Sequence, residues 1–81
     1  MVAVVITSPF DREFFGSRDR FEIDAPNLFA LVDALDREGP GFAEVAQVRA
    51  QLAVDGTIEP DWSSPLAGAG EVIVLARIGG G

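Results

Sequence analysis

Residues 71–81 read EVIVLARIGGG. The run at 72–76 is continuous and β-favouring, and it is apolar on both alternating faces, with Val72 and Val74 on one side and Ile73 and Leu75 on the other. A strand apolar on both sides belongs in the middle of a sheet, because an edge exposes such a surface. Residues 2–7 have the same character: Val2, Val4 and Ile6 share one face, and Ala3, Val5 and Thr7 share the other. The pattern predicts that the last strand lies beside the first.

The sequence between these strands supplies the rest of a small layered domain. Residues 8–18 mix Pro9, Gly16 and charges with Phe10, Phe14 and Phe15, and read as a connection whose aromatics fold back onto the core. Residues 20–24 alternate as a second strand, with Phe21 and Ile23 opposite Arg20, Glu22 and Asp24. Asn27 stands before Leu28, Leu31, Val32 and Leu35, an apolar stripe at helical spacing whose first-turn N–H groups an asparagine side chain can cap. Gly39-Pro40-Gly41 ends that helix, which is predicted over 28–38. Residues 42–49 carry a modest helical pattern, compatible with one short turn of helix. Residues 51–54 and 57–58 flank Asp55-Gly56, the dipeptide best suited to a tight hairpin turn.

The order is strand, strand, helix, strand, strand, final strand. It predicts an α+β chain of the β-grasp type, a mixed sheet of about five strands covered by one main helix. Residues 1–76 would form that domain, and residues 77–81 a flexible glycine-rich tail.

Composition narrows the chemistry. At 81 residues there is room for one core. Cysteine and histidine are both absent, which removes disulfides, thiolate nucleophiles, imidazole bases and the common zinc sites. The formal charge is −7, with six arginines and no lysine against thirteen acids. Nucleic acid and anionic membranes are therefore not expected partners, and a basic protein surface is. The apolar stretch after Met1 lacks a basic leader and is too short to span a bilayer, so no targeting signal is read and the cytoplasm is the default location. Asp33, Asp36 and Glu38 fall on the polar side of the helix, where they meet water, and are not read as acid/base groups. Trp62 either caps the core or joins an interface.

The chain resembles the small subunit of molybdopterin synthase, within the MoaD/ThiS group of ubiquitin-like sulfur carriers. The resemblance is nearly full length. It is carried by the N-terminal apolar strand, the Asn27-capped helix, Leu52-Ala53-Val54-Asp55-Gly56, Ser64-Pro65-Leu66, Gly70-Glu71-Val72 and the terminal Gly80-Gly81. The last three segments are similar to the family's "PL…GDEV…PP…GG" ending. The chain departs from it at Gly68-Ala69-Gly70, where the family turn is more acidic, at Ala76 and Arg77, where prolines are expected, and in its additional Gly79.

The resemblance implies no stand-alone activity. It implies a carrier whose Gly81 carboxylate is adenylated by a ubiquitin-activating-type adenylyltransferase that uses ATP and Mg. A sulfur donor protein then converts it to a thiocarboxylate, and a larger catalytic subunit of molybdopterin synthase receives the sulfur. This chain itself would bind no cofactor or metal. Gly79, Gly80 and Gly81 lack a Cβ and so suit a narrow tunnel, and residues 77–81 reach roughly 17 Å when extended. Val5, Ile58 and Leu75 are the expected docking patch, and Arg77 and Ile78 the neck of the tail, with Arg77 free to meet a partner carboxylate. Carriers for thiamin, cysteine or a specialised thio-metabolite, a ubiquitin-like protein modifier and an inert interaction module are the alternatives.

Overall fold

The computed structural model describes residues 1–77. Its elements are β1 (Val2–Ile6), α1 (Phe10–Phe14), β2 (Arg20–Ile23), α2 (Leu28–Glu38), α3 (Phe42–Arg49), β3 (Ala50–Val54), β4 (Thr57–Ile58) and β5 (Glu71–Ala76). They form a five-stranded mixed sheet in the order β2-β1-β5-β3-β4. The first and last strands pair in parallel at its centre, Val4 opposite Val72 and Ile6 opposite Val74. All other pairings are antiparallel. The expectation of a central final strand beside the first holds.

One face of the sheet carries the core. Val4, Ile6, Leu52, Val72 and Val74 cluster with Leu28, Leu31, Val32 and Leu35 of α2, and each is no more than 3% exposed. Burying one such side chain stabilises the fold by about 2 kcal/mol relative to leaving it in water. α2 begins where the sequence places it: the Asn27 side-chain oxygen accepts from the Ala30 N–H at 2.9 Å. The hairpin between β3 and β4 also forms as expected, with φ of 48° at Asp55 and 88° at Gly56.

Two elements differ from expectation. The connection after β1 contains α1, and residues 42–49 form a complete helix, so three helices rather than one accompany the sheet. The reason is an aromatic cluster. Phe42 lies 5.9 Å from Phe10, 5.6 Å from Phe14 and 5.2 Å from Phe15, ring centre to ring centre, in edge-on contacts. A short helical turn brings the three rings of α1 and its end onto one side, and Phe42 at the first position of α3 receives them. The carboxylate of Asp36 caps α3 from outside, accepting the N–H groups of Gly41 at 3.1 Å and Ala43 at 2.9 Å. Arg49 at the end of α3 forms a paired contact with Glu13 of α1 at 3.0 Å and 3.2 Å, which ties the two helices at the surface.

Gly39 lies between α2 and this cluster. Its φ of −132° is open to any residue, so the backbone angle does not require glycine there. Space does: a Cβ would collide with the Phe14 carbonyl oxygen and the Phe15 ring. Gly39→Ala is expected to destabilise the domain by about 1–3 kcal/mol. A urea denaturation midpoint unchanged from the native protein would contradict that packing.

Candidate functional site

The core contains no polar or charged residue, and among the described residues no buried side-chain nitrogen or oxygen lacks a partner. No group of three or more acidic side chains able to hold a metal occurs among the described residues, and no helix there is long and apolar enough to cross a membrane. Chemistry must therefore be sought on the surface.

The sheet face turned away from α2 follows from the register. Val5 pairs with Ile73, Ile73 with Ala53, and Ala53 with Ile58. Paired residues project from the same side of a sheet, so these four form one apolar row across β1, β5, β3 and β4. Three strand spacings separate its ends, about 14 Å. Arg20 extends the row on β2. Ala53 is 5% exposed yet belongs to no part of the main core; its burial comes from its neighbours on this outer face. Val5, Ile73 and Leu75 are half-buried and Ile58 is 44% exposed. Leu75 pairs with Gln51 and lies two residues along β5 from Ile73, toward the neck.

Val5, Ile58 and Leu75 thus share one face, as the alternation of the strands implies. They do not touch as a trio: Ile73 and Ala53 fill the space between Val5 and Ile58. Alternation already puts Ile73 with Leu75, but only the β3–β5 register reveals Ala53.

At the neck, the Arg77 N–H donates to the Arg49 carbonyl at 2.7 Å and its guanidinium donates to the Ala50 carbonyl at 3.3 Å. The ladder between β3 and β5 is therefore extended by one residue, and Arg77 is partly engaged by its own domain. Among the described residues it forms no ion pair. Ile78, Gly79, Gly80 and Gly81 lie outside the described residues.

The acids of α2 have structural work. Asp33 pairs with Arg37 at 3.3 Å, Glu38 with Arg18 at 3.5 Å, and Asp36 caps α3. Trp62 packs against the core and meets Phe29 edge-on at 5.8 Å. Beside it, the hydroxyl and the backbone N–H of Ser63 donate to Asp61 at 2.6 Å and 3.0 Å and hold its carboxyl below the usual aspartate range.

The sheet order, the single long helix across one face and the hairpin of β3 and β4 define an α+β protein of the β-grasp fold. Among solved structures it is similar to CysO of Mycobacterium tuberculosis, described as an antigen, with a TM-score of 0.81 over 96% of this chain and 100% of that one, at 14% identity. At that identity the likeness is one of fold. No family model matches the chain, and no curated protein matches it either.

Because the folded state depresses the Asp61 pKa, the stability it contributes is complete above the ordinary aspartate pKa and is lost as pH falls through the lower folded value. Ser63→Ala should move the Asp61 titration, followed by carboxyl chemical shift, up toward the ordinary range. An unchanged midpoint would show that the serine does not set it.

Proposed function

We propose that the chain is a sulfur carrier whose working group is the carboxylate of Gly81. The observation that carries this reading is the placement of β5: it occupies the centre of a β-grasp sheet and runs through Arg77 directly into Ile78-Gly79-Gly80-Gly81. The β-grasp fold that the chain shares with CysO is compatible with it.

A carboxylate is a poor electrophile. In this reading a Gly81 oxygen attacks the α-phosphate of ATP on an activating enzyme that also binds Mg, and pyrophosphate leaves. A persulfide of a donor protein then displaces AMP to give an acyl disulfide, and a second thiol of that partner cleaves its S–S bond, leaving the thiocarboxylate on this chain and a disulfide on the partner. Glycines at 79–81 let the chain enter a narrow site without side-chain bulk. The row of Val5, Ile73, Ala53 and Ile58, with Leu75 next to the neck, would seat the activating and receiving partners, and Arg77 would approach a carboxylate of theirs.

The recipient we favour is the larger subunit of a molybdopterin synthase, on the strength of the Pro65-Leu66 and Gly70-Glu71-Val72 segments. Those segments also serve the fold. Pro65 bridges to Asn27, Leu66 is buried, and the N–H groups of Gly70 and Glu71 donate to Asp55. They therefore discriminate weakly between pathways, and a carrier serving thiamin, cysteine or a specialised thio-metabolite is the second reading.

Co-expression with a cognate activating enzyme should raise the intact mass by the exchange of one oxygen for one sulfur, and deletion of Gly80 and Gly81 should abolish the gain. A native chain that never gains this mass refutes the carrier reading; covalent adducts to lysines would indicate a protein modifier instead. Leu75→Ser should leave folded stability within about 1 kcal/mol while weakening binding to the activating enzyme at least about tenfold. Undiminished binding in a calorimetric titration would remove Leu75 from the docking face.

A further inference from the structure

The apolar stripe of α2 is complete without Phe29. Leu28, Leu31, Val32 and Leu35 are all buried, whereas Phe29 is 56% exposed. It is nonetheless held in place. Its N–H donates to the Trp62 carbonyl at 3.0 Å, and its ring meets the indole edge-on at 71°. Two grooves share both rings. One, of about 460 Å³, includes Asp33 and Gln47; the other, of about 360 Å³, includes Asp61, Gln47 and Arg77.

We propose that Phe29 and Trp62, flanked by the carboxylates of Asp33 and Asp61, receive an arginine side chain presented by a protein partner beside the neck of the tail. Aromatic faces attract cations, and a planar guanidinium both stacks on rings and forks onto carboxylates. Trp62 packs against the core, Phe29 meets its ring edge-on, and a backbone bond joins the two residues, so little ordering is needed on binding. Ser63 occupies one oxygen of Asp61; among the described residues the other accepts no hydrogen bond. The domain's own cations do not fill the place. Arg37 takes one oxygen of Asp33, and Arg77 turns a guanidinium nitrogen to the Ala50 carbonyl with no ion pair to Asp61 among the described residues. A net charge of −7 favours a basic partner over nucleic acid or an anionic membrane. The groove lies away from the apolar row of the sheet, and its use does not depend on sulfur chemistry at Gly81.

Trp62 is the single tryptophan of the chain, so its emission reports on the site directly. The intact protein is titrated with a capped Gly-Arg-Gly-Arg-Gly peptide, its lysine counterpart and its citrulline counterpart, at low and high salt. A saturable change in emission is expected with the arginine peptide, weaker with lysine, absent with citrulline, and reduced by salt. Phe29→Ala and Asp61→Asn, each checked for native circular dichroism, should weaken the arginine peptide about fivefold or more. The proposal is overturned if emission does not respond, if citrulline or lysine binds as well as arginine, or if both folded variants bind like the native chain. None of these results bears on whether Gly81 gains sulfur, so the two readings fail separately.

Discussion

The parallel pairing of β1 with β5 joins segments 67 residues apart in the chain, as the Thr7 hydroxyl bond to the Val74 carbonyl measures. Every other strand is placed by reference to this pair, β2 on one side and β3 with β4 on the other. Its register is fixed by burial. Val4, Ile6, Val72 and Val74 are nearly inaccessible to solvent, and a slip of one residue would turn Ile73 and Leu75 toward α2 and put the valines outside. The backbone bonds from Ala3 to Gly70 and from Thr7 to Val74 close the ladder at both ends. A contact of such long sequence separation carries a loop-closure cost that local helix formation does not, so the core must repay it.

That repayment comes from two apolar assemblies on the same side of the sheet. α2 covers the middle, and the Phe10, Phe14, Phe15 and Phe42 rings close one end. Phe15 also meets Phe21 of β2 at 5.3 Å, which links the aromatic group to the strand next to β1. Helices α1 and α3 are too short to persist in isolation; they exist because their phenylalanines have a common place to go. Among the described residues no buried side chain is polar or charged, so the polar and charged side chains of the domain all lie at its surface.

Sequence patterning reached the parts of this structure whose causes are local. The Asn27 cap, the stripe from Leu28 to Leu35 and the Asp55-Gly56 turn are each specified within a few residues, and each forms where periodicity puts it. α3 was less legible because its stabilisation is not local: its N-terminal N–H groups are capped by Asp36 of the preceding helix, and only Phe42 and Ala46 of its residues are buried. Gly39 illustrates the same limit, since it reads as a helix terminator and its necessity lies in the approach of Phe14. On the outer face, alternation identified Val5, Ile73 and Leu75, whereas the place of Ala53 between Ile73 and Ile58 is a fact of register. The contact of Phe29 with Trp62 was hidden for a similar reason, because Trp62 lies on a loop.

The central place of β5 also bears on how a tail at this end can be handled. A terminal strand at a sheet edge is held by one ladder and can be peeled from it, but β5 is held by β1 on one side and β3 on the other, and the second ladder continues to Arg77. Drawing the following residues into a partner would peel residues 75–77 from β3 alone, and only from Val74 inward would both ladders have to break together and expose Val72 and Val74. The neck is thus held by one ladder and backed by a strand held by two. It also lies between the two surfaces left open by the fold, Leu75 on the outer face of the sheet and the Phe29–Trp62 grooves that Arg77 helps to line. In the proposed carrier reading, a partner that takes the chain end would meet both, and gripping the domain on either side of Arg77 would orient it more tightly than a single patch would allow.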